Sequence, residues 1–154
     1  MGFYLNPGNK GFWESIRSRI YVDKTNLIAC TNRLINTEEK FICVCRPRRF
    51  GKSMTLEMLA AYYSCGCDSA DLFRKLKIES DDTFQEHLNQ YDVIFLNMQQ
   101  FLSRAKNRGM IEYLEQAVIE ELREVYGELF SAQADVLAET LEKFMQKQVS
   151  SSSS

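Results

Sequence analysis

The residues of this chain best suited to chemistry run from Arg46 to Ser53, in the order Arg46-Pro47-Arg48-Arg49-Phe50-Gly51-Lys52-Ser53, after the apolar run Phe41-Ile42-Cys43-Val44-Cys45. Read as a strand, a tight turn and a helix, this stretch is a phosphate-binding loop. A turn that re-enters a helix leaves the first helical amides unpaired, and they point at whatever anion sits in the turn. Gly51 lets the backbone come close to a ligand, Lys52 reaches β and γ phosphates, and Ser53 offers a hydroxyl to magnesium. The candidate nucleotide-binding residues are therefore Arg48, Arg49, Phe50, Gly51, Lys52, Ser53 and Met54, with Lys52 also the candidate catalytic residue and Ser53 the candidate metal ligand.

The general pattern G-x-x-x-x-G-K-[ST] has a glycine where this chain has Arg46. Pro47 holds Arg46 extended, so the entry to the loop is stiffer than a glycine would make it. Arg46, Arg48 and Arg49 add permanent positive charge beside Lys52, a local field that favours a polyphosphate. The plainer alternative is a basic surface turn between a strand and a helix.

Together with Tyr21-Val22-Asp23-Lys24-Thr25 upstream, these residues resemble the bacterial family of predicted AAA-type ATPases whose loop runs R-P-R-R-F-G-K-S. Met58-Leu59-Ala60-Ala61-Tyr62-Tyr63, Leu72 to Ile78 and Tyr91 to Asn97 resemble it too, so the similarity spans most of residues 12–126. The resemblance implies an ATP-binding P-loop domain, the N-terminal part of a longer protein that often carries a nuclease-like region further on. It also implies a later apolar strand ending in acidic residues, the Walker B segment that holds magnesium and polarises water. No such segment is found in the sequence. Val93-Ile94-Phe95-Leu96-Asn97 ends in an amide, which has no charge to hold a divalent ion. The expected activity is thus ATP hydrolysis in a full-length form, with this chain alone binding nucleotide without turning it over.

The elements that must position the loop read as an α/β arrangement: an incomplete, three-layer P-loop NTPase fold of AAA type, with a parallel sheet core and flanking helices. Residues 41–45 and 92–97 are the expected strands, the first apolar on both faces as a strand covered by helices would be. Residues 1–20 read as an irregular arm anchored by Phe12-Trp13. Asp23 is the expected N-cap of a helix over about 24–36, and Leu56, Leu59, Ala60 and Tyr63 put one face of a helix over about 52–64 on the sheet. Shorter helices are expected near 69–76 and from Asp82 or Thr83 to Asn89. Longer ones are expected over about 110–126 and 131–148, and Ser150 to Ser154 reads as a disordered tail. Residues 1–149 would form one domain, or part of one. The strand order of AAA-type sheets places later strands between these two, so exposed edges and marginal stability are expected. Tyr21 to Thr25 is a secondary candidate for contact with the base or ribose.

With 154 residues, 45% of them hydrophobic and 12% aromatic, the chain can bury a single core. A formal net charge of -2 argues against a dedicated nucleic-acid coat protein. Nucleic acid is expected only through the C-terminal region that the resemblance implies, and nothing in the sequence sets an oligomeric state. No stretch approaches the roughly twenty apolar residues that cross a bilayer, and the N-terminus lacks a secretion signal, so a cytoplasmic protein without membrane contact is expected. Met1-Gly2 opens like a myristoylation site, but Asn6 stands where Ser or Thr is needed. The cysteines at 30, 43, 45, 65 and 67 suit reduced thiols. Cys43, Cys45, Cys65 and Cys67 lack C-x-x-C spacing, so small buried residues are expected rather than a zinc site. His87, with no nucleophile placed near it, reads as a surface or capping residue.

Two functions stay open on these residues: an ATP and magnesium binder, and a non-catalytic module that grips nucleic acid or another anion through Arg46, Arg48, Arg49 and Lys52.

Overall fold

The computed structural model describes residues 3–45, 47, 51–104 and 109–127. Arg46, Arg48, Arg49 and Phe50, the expected helix over 131–148 and the serine tail all lie outside the described residues. The helices are α1 (Lys10–Ile16), α2 (Asn26–Leu34), α3 (Lys52–Tyr63), α4 (Ala70–Phe73), α5 (Phe84–His87), α6 (Met98–Arg104) and α7 (Met110–Tyr126), with a single 3-10 turn at Lys77–Ser80. The chain divides into two compact units, one over Asn6–Ile94 and one combining the first residues to Leu5 with Phe95 onward.

The expected parallel sheet is not there: among the described residues no strand forms, and the only parallel pairing outside helices is the isolated bridge between Ser64 and Tyr91. The reason lies in where backbone partners are found. Residues 92–97 bond to isolated residues instead of a strand: the Asn6 amide donates to the Val93 carbonyl at 2.8 Å, the Val93 amide to the Asn6 side chain at 2.8 Å, and the Phe95 amide to the Tyr4 carbonyl at 2.8 Å. Residues 41–45 belong to no element and are exposed, Phe41 at 86%. Two segments that do not pair with each other cannot make a ladder, and an apolar run alone does not form a strand.

The first unit closes on aromatic rings. Phe12 stacks on Phe73 with centroids 4.8 Å apart, and Tyr62 meets Phe73 edge-on at 5.5 Å. Ile28, Met58, Ile78 and Phe84 complete this buried cluster. Residues 10–16, read from sequence as part of an irregular arm, form α1, because Phe12 packs at 1% exposure while Trp13 turns out to solvent under Arg17. In α3 the buried residues are Met58, Ala60, Ala61 and Tyr62; of the face expected to meet a sheet, Ala60 is buried, Leu59 and Tyr63 are half-buried against the core cluster, and Leu56 is 51% exposed.

The C-terminus of α3 is closed by a side chain distant in sequence. Asn89, at φ 55, donates its amide to the carbonyls of Ala61 at 3.1 Å and Ser64 at 2.7 Å, and its backbone amide bonds the Tyr62 carbonyl at 2.7 Å. These carbonyls are the ones a helix end leaves without intrahelical donors. Tyr62 and Tyr63 then tie α3 to α2, where the Asn32 amide donates to the Tyr62 hydroxyl at 3.0 Å and the Tyr63 hydroxyl donates to the Asn32 carbonyl at 2.6 Å. His87 is buried, contrary to expectation, because its Nδ1 pairs with the Tyr91 hydroxyl at 2.6 Å and its ring stacks on Tyr91.

In the second unit α7 spans the residues its periodicity predicts and buries Val118, Ile119 and Leu122. One of its glutamates is engaged within the unit: the Glu121 carboxylate accepts the Tyr4 amide at 2.9 Å and the Leu5 amide at 3.0 Å. Phe101 on α6 stacks with Tyr4 at 5.0 Å. Among the described residues no helix is long and apolar enough to cross a membrane.

Truncating a stacked, fully buried ring removes its transfer energy and leaves a cavity. Phe12→Ala is therefore expected to cost about 3–5 kcal/mol, read as a lower urea midpoint, whereas a midpoint unchanged from the native chain would show that α1 does not anchor the core.

Candidate functional site

The left-handed conformation of Gly51, at φ 73, turns the chain into α3 and makes this residue the N-cap. That conformation disfavours any residue with a Cβ. The helix starts tightly, since the Gly51 carbonyl accepts both the Thr55 amide at 3.0 Å and the Thr55 hydroxyl at 2.9 Å. Lys52, Ser53 and Met54 follow as its first turn and are exposed, at the helix end that carries unpaired amides and the positive end of the dipole.

A second lysine joins them. The Lys24 ammonium lies so close to Gly51 that a Cβ there would come within 2.8 Å of its Nζ. Sequence reasoning placed Tyr21 to Thr25 near a base or ribose and did not single out Lys24. Its approach depends on how α2 starts. The Asp23 carboxylate accepts the Thr25 amide at 2.9 Å, the Thr25 hydroxyl at 2.6 Å and the Lys77 amide at 2.8 Å, while the Thr25 hydroxyl oxygen accepts the Ile78 amide at 3.1 Å. Asp23 thus stands two residues before the N-cap, Thr25, and clamps this corner to the 3-10 turn. Burial alone would raise its pKa, but the hydrogen bonds from Thr25 and Lys77 and the Lys77 charge outweigh that and hold the carboxyl below its ordinary range.

Two hollows flank the start of α3. One, of about 290 Å³, is walled by Phe12, Ile20, Tyr21, Val22, Met54 and Met58, with Lys24, Gly51 and Thr55 at its polar side. The other, of about 590 Å³, holds Lys24, Lys52, Thr31 and Thr55 among Leu27, Ile42, Val44, Leu56 and Leu59. Lys24 and Thr55 line both hollows, with Gly51 on the first and Lys52 on the second. Neither lining includes an acidic side chain among the described residues, and no cluster of three or more metal-ligating side chains is present among them.

The first hollow has an unsatisfied member. The Tyr21 hydroxyl is buried without a hydrogen-bond partner among the described residues. Burial, and after it the Asp23 carboxylate, pushes the hydroxyl up to about 12, so it stays protonated and able to donate.

The sequence profile of the AAA-ATPase-like family, described as "Predicted AAA-ATPase", matches residues 11–154. The chain belongs to this family. No curated protein and no solved structure matches significantly. Family membership agrees at a coarse level with nucleotide chemistry. Of the family-like residues read from the sequence, Gly51, Lys52, Ser53 and Met54 lie together at the start of α3, and Arg48, Arg49 and Phe50 lie outside the described residues.

The cysteine expectation needs correcting as well. Cys43 and Cys45 are exposed, because the sheet that was to bury them does not form.

Two outcomes follow. The folded-state pKa of Asp23 lies below its unfolded value of about 3.9, so its stabilisation is complete above about pH 4 and is lost as pH falls through the folded-state value. Asp23→Asn should lower stability at neutral pH and flatten the acid limb of a denaturation series; an unaltered limb would remove Asp23 from the clamp. Tyr21→Phe, which deletes a buried and unpaired hydroxyl, should leave the ligand-free protein as stable or more stable by up to about 1–3 kcal/mol, and a clear loss in the thermal midpoint would contradict that.

Proposed function

We propose that this chain binds a nucleoside triphosphate, ATP in the first instance, with magnesium, at the start of α3. The observation that carries the reading is the convergence of the Lys24 ammonium on Gly51, the left-handed residue opening the helix that begins Lys52-Ser53. Two cations, a row of surface amides and a residue that lacks a Cβ favour a compact, multiply charged anion. Membership of the predicted AAA-ATPase family makes a nucleotide the anion to test first.

The residues take separable tasks. Lys52 and Lys24 neutralise phosphate oxygens, and the amides of Gly51 to Met54 orient them. Phe12, Tyr21, Val22, Met54 and Met58 offer the base an apolar slot near the lower end of the size usual for small-molecule clefts, about 300–1,000 Å³, and Tyr21 adds an unpaired hydroxyl. Magnesium fits the donor set in a limited way. It commonly keeps several waters and takes one or two protein oxygens beside the substrate phosphates, which the Ser53 hydroxyl can supply. Arg48 and Arg49, just before this helix in sequence, add positive charge in this reading.

The reading stops at binding. Hydrolysis needs a group that orients water and a charge that holds the metal, and among the described residues the linings of the two hollows offer no carboxylate for either. Anion binding without nucleotide specificity, nucleic acid included, is the second reading, and the pairing of Lys24 with Lys52 suits it equally.

Titration calorimetry with and without magnesium separates the two. ATP binding should require magnesium and weaken at least about tenfold, or 1.4 kcal/mol, in Lys52→Ala, while the circular dichroism of that exposed-site variant stays native. Equal affinity in the variant, or binding that ignores magnesium and falls steeply with salt, would sink the nucleotide reading.

A further inference from the structure

Residues 41–45 are all exposed, and Ile42 and Val44 among them line the larger hollow beside Lys52. Where a chain runs extended, alternate side chains fall on opposite sides, so a cysteine-valine-cysteine order lets both thiols share one side. The two sulfurs approach to 3.7 Å. We propose that Cys43 and Cys45 are a dithiol that a small disulfide of the oxidised-glutathione class closes into an intrachain bridge, changing the wall of the hollow that Lys52 lines.

The other cysteines supply a comparison inside the same protein. Cys65 and Cys67 have the same spacing, but each is half-buried and engaged elsewhere: the Cys65 thiol donates to Asp92 at 3.1 Å and accepts from Asn6 at 3.3 Å, and the Cys67 thiol donates to the Ser64 carbonyl at 3.4 Å. Cys30 is exposed and lies outside the 41–45 segment. Only at Cys43 and Cys45, among the described residues, are two exposed thiols each other's neighbours. The hydrogen bond to Cys45, and then its charge, raise the Cys43 thiol above the ordinary range, a mark of how closely the two sulfurs lie.

The chemistry balances without a metal. A thiolate of the pair attacks one sulfur of the small disulfide, forming a mixed disulfide and releasing one small thiolate. The second protein thiol loses its proton and attacks the bound half, releasing the other. The protein loses two hydrogens and is oxidised by two electrons, and the reagent is reduced to two thiols. Closing the bridge brings the sulfurs from 3.7 Å to about 2.05 Å. Residues two apart have α-carbons no more than roughly 7 Å apart, near the upper bound of about 6.8 Å for a disulfide, so the segment shortens around Val44. An exposed bridge over so short a loop gains little chain-entropy stabilisation and is readily reduced, which suits a reversible device. This inference stands independently of the ligand proposed for the site.

The test uses the full chain, equilibrated with oxidised glutathione, quenched by alkylation and mapped by peptide mass. The peptide carrying residues 41–45 should lose two hydrogens, regain them with dithiothreitol, and escape alkylation only in the oxidised form. In the bridged protein, acylation of Lys52 by an amine-reactive ester should change rate several-fold. The double variant C43S/C45S, at two exposed positions, should keep its thermal midpoint and show neither response. Persistent glutathione adducts at Cys43 or Cys45, bridges to Cys30, Cys65 or Cys67, or an unchanged Lys52 rate after bridging would each overturn the proposal.

Discussion

A helix exposes unpaired amides at one end and unpaired carbonyls at the other, and the first unit treats the two ends of α3 in opposite ways. At its C-terminus the carbonyls of Ala61, Tyr62 and Ser64 are met by the side chain and backbone amide of Asn89, a residue held at positive φ. Tyr62 and Tyr63 anchor the same turn to α2 through Asn32 and Thr31. The N-terminus is treated differently: it opens at Gly51 and stays at the surface. Side-chain anchoring is concentrated at one end of the helix, and the end at which we propose binding carries none of it, an arrangement that suits a site on a rigid element.

The missing sheet changes what surrounds that end. Leu56, Leu59, Ile42 and Val44, apolar side chains that a helix-on-sheet layer would bury, instead border an open hollow with Lys52 in it. Lys52 therefore shares that hollow with these apolar side chains and with Lys24. The same change exposes the thiols of Cys43 and Cys45, whose spacing matters only once they leave the interior.

Helix periodicity was legible where it is strongest. The boundaries of α7 follow from Ile111, Leu114, Val118, Leu122 and Val125, and α3 begins and ends within a residue of its expected span. What misled was hydrophobicity without context. Phe41 to Cys45 and Val93 to Leu96 are apolar enough for buried strands, yet a strand is a relation between segments, and these two find no strand to pair with among the described residues. Likewise α1 is invisible from propensity, with two glycines nearby, and exists because Phe12 has Phe73 to stack on.

The sequence by itself determined the local chemistry: Gly51, Lys52 and Ser53 in consecutive order, the glycine where a left-handed turn requires one, and the family to which the chain belongs. Those features depend on neighbours along the chain, so they can be read along it. Only the tertiary structure brought the Lys24 ammonium to Gly51, left the Tyr21 hydroxyl without a partner and set Asp23 to clamp Lys77. Each of these joins residues remote in sequence or depends on what surrounds a buried atom, and packing decides both after local conformation has been chosen.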